Sequence, residues 1–232
     1  MHGEATLRHA IDDVRSRITL ACDRAGRQPN DVVLVAVTKR VPPDVVASAF
    51  GAGLMDFGEN YASELSVKAP QIAATWHFLG ALQRGTAGRV SGLADVIHSV
   101  APGDALPRVA RRAAEEGRTI RCLVQIDFIG ARHGATPDEA EGVVANAVSL
   151  AGVEAVGLMT IPPLAGSAEA ARPFFARLRA LRDRLGERWP QIRELSMGMS
   201  ADYEVAVEEG ATMVRVGTAL FGPRPLARGR GN

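Results

Sequence analysis

The sequence predicts a single-domain α/β protein, a closed (β/α)8 barrel preceded by an extra N-terminal helix. Three observations predict it. Eight short apolar runs alternate with helical stretches along the chain. The clearest of these runs are apolar on both faces, as strands of a parallel sheet covered by helices must be. The alternation continues without linker or low-complexity tract through 232 residues, a length that one barrel fills. An open, doubly wound sheet is the alternative built from the same units.

The elements follow in order. Residues 4–25 place Leu7, Ile11, Val14, Ile18 and Ala21 at three- and four-residue steps, one apolar stripe on a charged helix that Gly26 and Pro29 end. Within the single domain 1–232, residues 1–28 are therefore read as a helical segment packing on the barrel and 225–232 as a flexible tail. Residues 32–37 (VVLVAV) are a buried strand with Thr38 and Lys39 at its C-terminal end. Pro42-Pro43-Asp44 then opens a helix to about Gly51. Further strands fall at 55–58, 76–80, 96–100, 120–126, 153–160, 194–197 and 213–217. Helices separate them at 60–73, 83–92, 104–117, 137–151, 168–187 and 202–210.

Composition excludes some function classes. Lys+Arg is 27 against Asp+Glu 26, a net charge of +1, which gives no electrostatic case for nucleic acid or an anionic membrane. The basic run 224–230 is short and broken by glycine and proline, so it reads as a frayed tail. Cys22 and Cys122 have no metal-ligand spacing, and Cys122 sits in an apolar run as a small core residue. No metal site is expected. The charged N-terminus and the lack of a membrane-length apolar stretch predict a cytoplasmic, reduced protein.

In a parallel barrel the chemistry gathers at the C-terminal ends of the strands. All eight ends carry polar or glycine positions: Thr38-Lys39, Gly58-Glu59-Asn60-Tyr61, His77 to Gly80, His98-Ser99, Gln125 to Asp127, Met159-Thr160, Ser196 to Ser200, and Arg215 to Thr218. Lys39 is the most informative. A lysine at a barrel mouth is partly desolvated, which lowers its pKa and makes its amine a nucleophile toward an aldehyde. Position alone favours a snorkelling lysine. The last two strands favour the first reading. Gly217 lets backbone N–H groups approach an anion, Ser200 adds a hydroxyl, and the helix from 202 begins beside it. Phosphate donors with one amine describe a pocket for a phosphorylated aldehyde or ketone. Pyridoxal 5'-phosphate (PLP) and aldolase-type sugar phosphates both qualify.

At this point the chain resembles the YggS/PROSC family of PLP homeostasis proteins, nearly throughout. The motifs are VAVTK at 35–39, FGENY at 57–61 with Glu64, WHFLGALQ at 76–83, IHSV at 97–100, GLMTIPP at 157–163, LSMGMSAD at 195–202 and VRVGTALFGPR at 214–224. The resemblance implies a TIM-type, fold-type III PLP barrel like the N-terminal domain of alanine racemase, without that enzyme's second domain. It implies that Lys39 carries PLP as a Schiff base. Ser200, Gly217 and Thr218 would hold the phosphate. Arg215 would face the pyridine nitrogen and, unable to give up its proton, leave a weak electron sink. Asn60 would lie beside the 3'-oxygen and Met159 against the ring. The chain departs from the family's pattern at Ala81, Gly85-Thr86, Asp127 and Arg132, where the family commonly has other residues. Those departures weaken the case for secondary cofactor contacts but leave Lys39 and the phosphate segment untouched.

A racemase needs a proton donor on each face of the ring. Tyr61 follows the GEN motif near the expected pocket, Tyr203 reads as partly exposed helix packing, His77 and His98 as buried, hydrogen-bonded core residues, and His133 as a surface residue. No catalytic residue is assigned on this basis. The expected function is a monomeric PLP carrier that buffers or delivers cofactor, with apo PLP-dependent enzymes as candidate recipients. A weak PLP-dependent amino-acid racemase and an aldolase-like Schiff-base enzyme are the alternatives.

Overall fold

A computed structural model describes residues 4–163 and 166–223. The predicted tail 225–232 lies outside the described residues. Eight parallel strands close into a barrel in sequence order. They are β1 (Val33–Val37), β2 (Asp56–Glu59), β3 (Thr75–Phe78), β4 (Val96–Val100), β5 (Ile120–Ile126), β6 (Val153–Thr160), β7 (Glu194–Met199) and β8 (Met213–Val216). The closing pair sets Val33 beside Met213 and Val35 beside Arg215, which excludes the open sheet.

The outer ring holds α2 (Pro43–Gly51), α3 (Ala62–Lys68), α4 (Ala87–Leu93), α5 (Leu106–Glu115), α6 (Ala140–Ser149), α7 (Arg172–Arg188) and α8 (Tyr203–Glu208). The expected N-terminal helix is α1 (Glu4–Ala25), and its stripe Leu7, Ile11, Val14, Ile18 and Ala21 is buried. Its charged face also binds. Arg17 bonds Glu204, Arg24 Nε donates to Glu208 at 2.7 Å, and just past the helix Arg27 donates to the carbonyls of Val207 and Ala211 at 2.7 and 2.8 Å. The helix therefore packs on the α8 side of the barrel.

Several boundaries differ from the sequence reading. The helix read as 60–73 is α3 followed by a single 3-10 turn at Ala69–Gln71, because Pro70 has no N–H to extend the ladder. The helix read from 104 starts at Leu106 with Ala105 as its N-cap, because the Asp104 carboxylate folds the turn before it, accepting the N–H groups of Ala101 and Leu106 at 2.9 and 2.8 Å. Gly217 is not the end of a strand: β8 stops at Val216 and Gly217 caps a short helix, α9 (Thr218–Phe221), that hydropathy did not announce.

Outward-facing strand side chains such as Ala36, Phe57, Trp76 and Ile97 join the helices in one large apolar core. The barrel interior holds a smaller apolar group, Val96, Leu123, Val156 and Met159. Two glycines set the geometry. Gly198 adopts φ 90° where the β7–β8 register shifts, and this bulge turns the chain toward Ser200. Gly157 lies beside Glu194, and a Cβ there would stand 2.0 Å from the Glu194 carbonyl oxygen. Gly157→Ala must therefore push β6 from β7. It should cost about 2–3 kcal/mol and lower Tm by roughly 5–10 °C. Calorimetry checks this, and an unchanged Tm would refute the close approach.

Candidate functional site

The C-terminal mouth of the barrel opens onto a cavity of about 670 Å3, within the roughly 300–1,000 Å3 of small-molecule sites. Lys39, Asn60, Met159, Ser200, Arg215, Gly217 and Thr218 all line it. They come from the ends of β1, β2, β6, β7 and β8, so barrel closure alone brings together residues up to 179 positions apart (39 and 218). The wall also includes residues the sequence reading did not place there. Leu7 of α1, Arg40 and Asp44 are among them.

Lys39 is half-buried and sits in a tight turn after β1. The Thr38 N–H continues the ladder to the Gly58 carbonyl at 2.9 Å, and the Val41 N–H closes the turn on the Thr38 carbonyl at 2.9 Å. Asn60 follows β2. Its backbone is pressed by Gly80, where a Cβ would stand 2.1 Å from the Asn60 carbonyl oxygen. The Asn60 Oδ1 is buried and has no hydrogen-bond partner among the described residues. A buried acceptor in a cavity wall suits a ligand donor.

Ser200 Oγ accepts the N–H groups of Gly217 and Ala219 at 3.2 and 3.3 Å. With both bonds arriving at its lone pairs, the hydroxyl proton is left to donate. The helix beside Ser200, α8, begins later than a phosphate site would suggest, and its cap Asp202 accepts the Met199 N–H at 2.6 Å. The backbone donors at Ser200 belong to the start of α9 instead. Met159 is buried, with Ile161 packed against its group.

Arg215 is almost wholly buried. Its guanidinium donates to Ser196 Oγ and, at 2.9 Å, to the Thr160 carbonyl. Burial lowers its pKa to about 10, with Asp202 opposing, so it stays charged at neutral pH. From Ser196 a hydrogen-bonded chain crosses the barrel interior. Ser196 Oγ meets His98 Nδ1 at 2.7 Å, His98 Nε2 meets His77 Nδ1 at 2.8 Å, and His77 Nε2 meets Asp56 Oδ1 at 3.0 Å. Its ends fix its direction. A guanidinium can only donate and a carboxylate can only accept, so with neutral rings every link donates from Arg215 toward Asp56.

The two histidines are thus buried and hydrogen-bonded, as read from the sequence, and His133 is exposed. Their connection to Arg215 was not legible, because the five members sit on five different strands. Lys68 also escaped notice. It ends an ordinary surface-looking helix, yet it is buried against the Lys39 turn. Tyr203 corrects the reading of partly exposed helix packing. It is 1% exposed, with Arg17 of α1 5.6 Å from its ring centroid. Tyr61 precedes α3 and is exposed.

The family "Alanine racemase, N-terminal domain" matches residues 11–225. The pyridoxal phosphate homeostasis protein of Aquifex aeolicus is 37% identical over 220 residues, covering 92% of this chain and 96% of that one. Its counterpart in Escherichia coli is 34% identical over 230 residues, 95% and 97% of the two chains. The structure of PipY from Synechococcus elongatus with PLP bound superposes with a TM-score of 0.82 at 34% identity, covering 93% of this chain and all of that one. Alanine racemase of Clostridium difficile shares the fold, with a TM-score of 0.75 at 16% identity over 60% of its length.

The interior chain makes a pH prediction. Burial, then the neighbouring His77 and Arg215, hold His98 well below its usual 6.5, so the folded protein keeps this ring neutral. Above pH 6.5 both folded and unfolded His98 are neutral and its contribution to stability is complete. Below that only the unfolded chain takes the proton, and stability falls by up to about 1.4 kcal/mol per pH unit. Thermal melts from pH 8 to 5 should show this decline, shallower in His98→Gln. Equal slopes would contradict a neutral His98.

Proposed function

Because the chain belongs to the pyridoxal phosphate homeostasis proteins, within the alanine racemase N-terminal-domain family, we propose that it binds PLP in the barrel-mouth cavity, reversibly and without rapid turnover. The observation that carries this is the convergence of Lys39, Asn60, Ser200, Arg215 and Gly217 on one cavity. Each group of PLP meets a suitable side chain there. Lys39 offers the amine for the aldehyde. Ser200, with the backbone at Gly217 and Thr218, takes the phosphate. Asn60 Oδ1, buried without a partner among the described residues, takes a ligand donor on the 3'-oxygen side. Met159 borders the ring. Arg215 holds a charge toward the ring nitrogen, where it donates and cannot accept. Bound PLP supplies an aldehyde that amines attack reversibly and a ring that withdraws electrons.

Carriage is favoured over racemisation by where the candidate bases stand. Tyr203 is packed beneath α1, and His77 and His98 bond to each other inside the barrel. On this reading the protein acts as a cytoplasmic monomer that buffers PLP for apoenzymes. Among the described residues no helix is long and apolar enough to cross a membrane.

The purified protein mixed with PLP should develop a visible absorbance band, and borohydride should fix the cofactor on Lys39 by mass mapping. Lys39→Ala should lose both. A label on another lysine, or a band that survives Lys39→Ala, would overturn the assignment. Solvent deuterium should enter the α-carbon of amino acids slowly at most. Sustained exchange with scrambled stereochemistry would replace the carrier with a racemase.

A further inference from the structure

Both peptide groups that flank Lys39 are held by one ionic cluster, in which Lys68 and Glu59 are buried and Glu64 is partly exposed. Lys68, at the end of α3, is 3% exposed. Its Nζ donates to Glu59 Oε1 at 2.6 Å, to Glu64 Oε2 at 2.7 Å and to the Thr38 carbonyl at 2.8 Å. That is three acceptors for the three protons of an ammonium. The Thr38 carbonyl belongs to the residue before Lys39. Glu64 Oε2 also accepts the backbone N–H of Arg40, the residue after it, at 2.7 Å. Glu59 Oε1 takes the Thr38 hydroxyl at 2.7 Å as well.

The turn needs such support. Arg40 has φ 61°, the one positive value on a non-glycine among the described residues. A side-chain-bearing residue adopts that conformation only when its surroundings impose it. Here the imposing group is the Glu64 carboxylate, itself anchored by Lys68. Moving three charged groups next to a turn is costly unless all of them are paired. They surround a segment whose central residue is Lys39.

We infer that Glu64 and Lys68 are positioning residues that set the backbone turn at Lys39 and so aim its amine into the cavity. This rests on the reading of Lys39 as the carrier of an aldehyde. Neither residue lines the cavity, so they act on the covalent bond and not on the phosphate or ring.

Two ligands separate these effects. PLP has the aldehyde, and pyridoxine 5'-phosphate has an alcohol in its place. Both would occupy the cavity, but only PLP can bond to Lys39. Removing a charge-assisted bond that holds the turn should weaken PLP binding by about tenfold in Glu64→Ala and Lys68→Met and slow the appearance of borohydride-fixable adduct on Lys39. Binding of pyridoxine 5'-phosphate should stay within about twofold, since its contacts are intact. Glu64→Gln, which keeps an acceptor for Arg40, should recover most of the adduct. If Lys68→Met does not fold, the Glu64 pair carries the comparison alone. Equal losses for both ligands, or no loss for either, would overturn the positioning role. A wild-type protein that binds pyridoxine 5'-phosphate and PLP alike, with no adduct on Lys39, would fail the carrier reading itself and remove the basis for the clamp.

Discussion

A permanent positive charge lies inside this barrel, at Arg215, and the polar interior is arranged around it. A buried guanidinium must be given acceptors or it cannot be tolerated. Ser196 and the Thr160 carbonyl supply them directly. Ser196 can accept from Arg215 and still donate onward, so the requirement passes to His98, then His77, and ends at Asp56. With neutral rings, a donor-only group at one end and an acceptor-only group at the other leave no freedom in between.

The architecture was legible because its signals are local and repeated. Val33 to Val37 is apolar on every residue, so a strand covered on both faces was the natural reading. The stripe on α1 is strictly periodic. Element ends were less legible where a single side chain or ring decides them, as at Asp104 and Pro70. Gly217 misled for a related reason. Glycine after an apolar run reads as a strand end, but here it caps a four-residue helix too short to show periodicity.

The site divides in the same way. Lys39, Ser200, Arg215 and Gly217 stand in or just past the C-terminal ends of β1, β7 and β8, and barrel closure alone predicts that they meet. What surrounds them was not readable, because it depends on which side of a helix or strand faces inward after packing. Lys68 looks like one more lysine ending a surface helix, and only the docking of α3 against β2, beside the Thr38 turn, reveals it as a buried cation. Tyr203 is buried because α1 lies over it, which is a property of the far end of the sequence. Glu59, pushed upward by burial but bonded by Lys68 and Thr38, is likewise intelligible only in the assembled fold.

The cavity wall runs from Leu7 to Pro223. Its lining thus draws on residues from α1 to just past α9. A polypeptide emerging from the ribosome therefore passes most of its synthesis with Lys39 already made and no pocket to serve. The cavity comes into being only when the segment through β8 and α9 has been translated and has joined β1. Possession of the ligand would in that case report a barrel closed through β8 and α9.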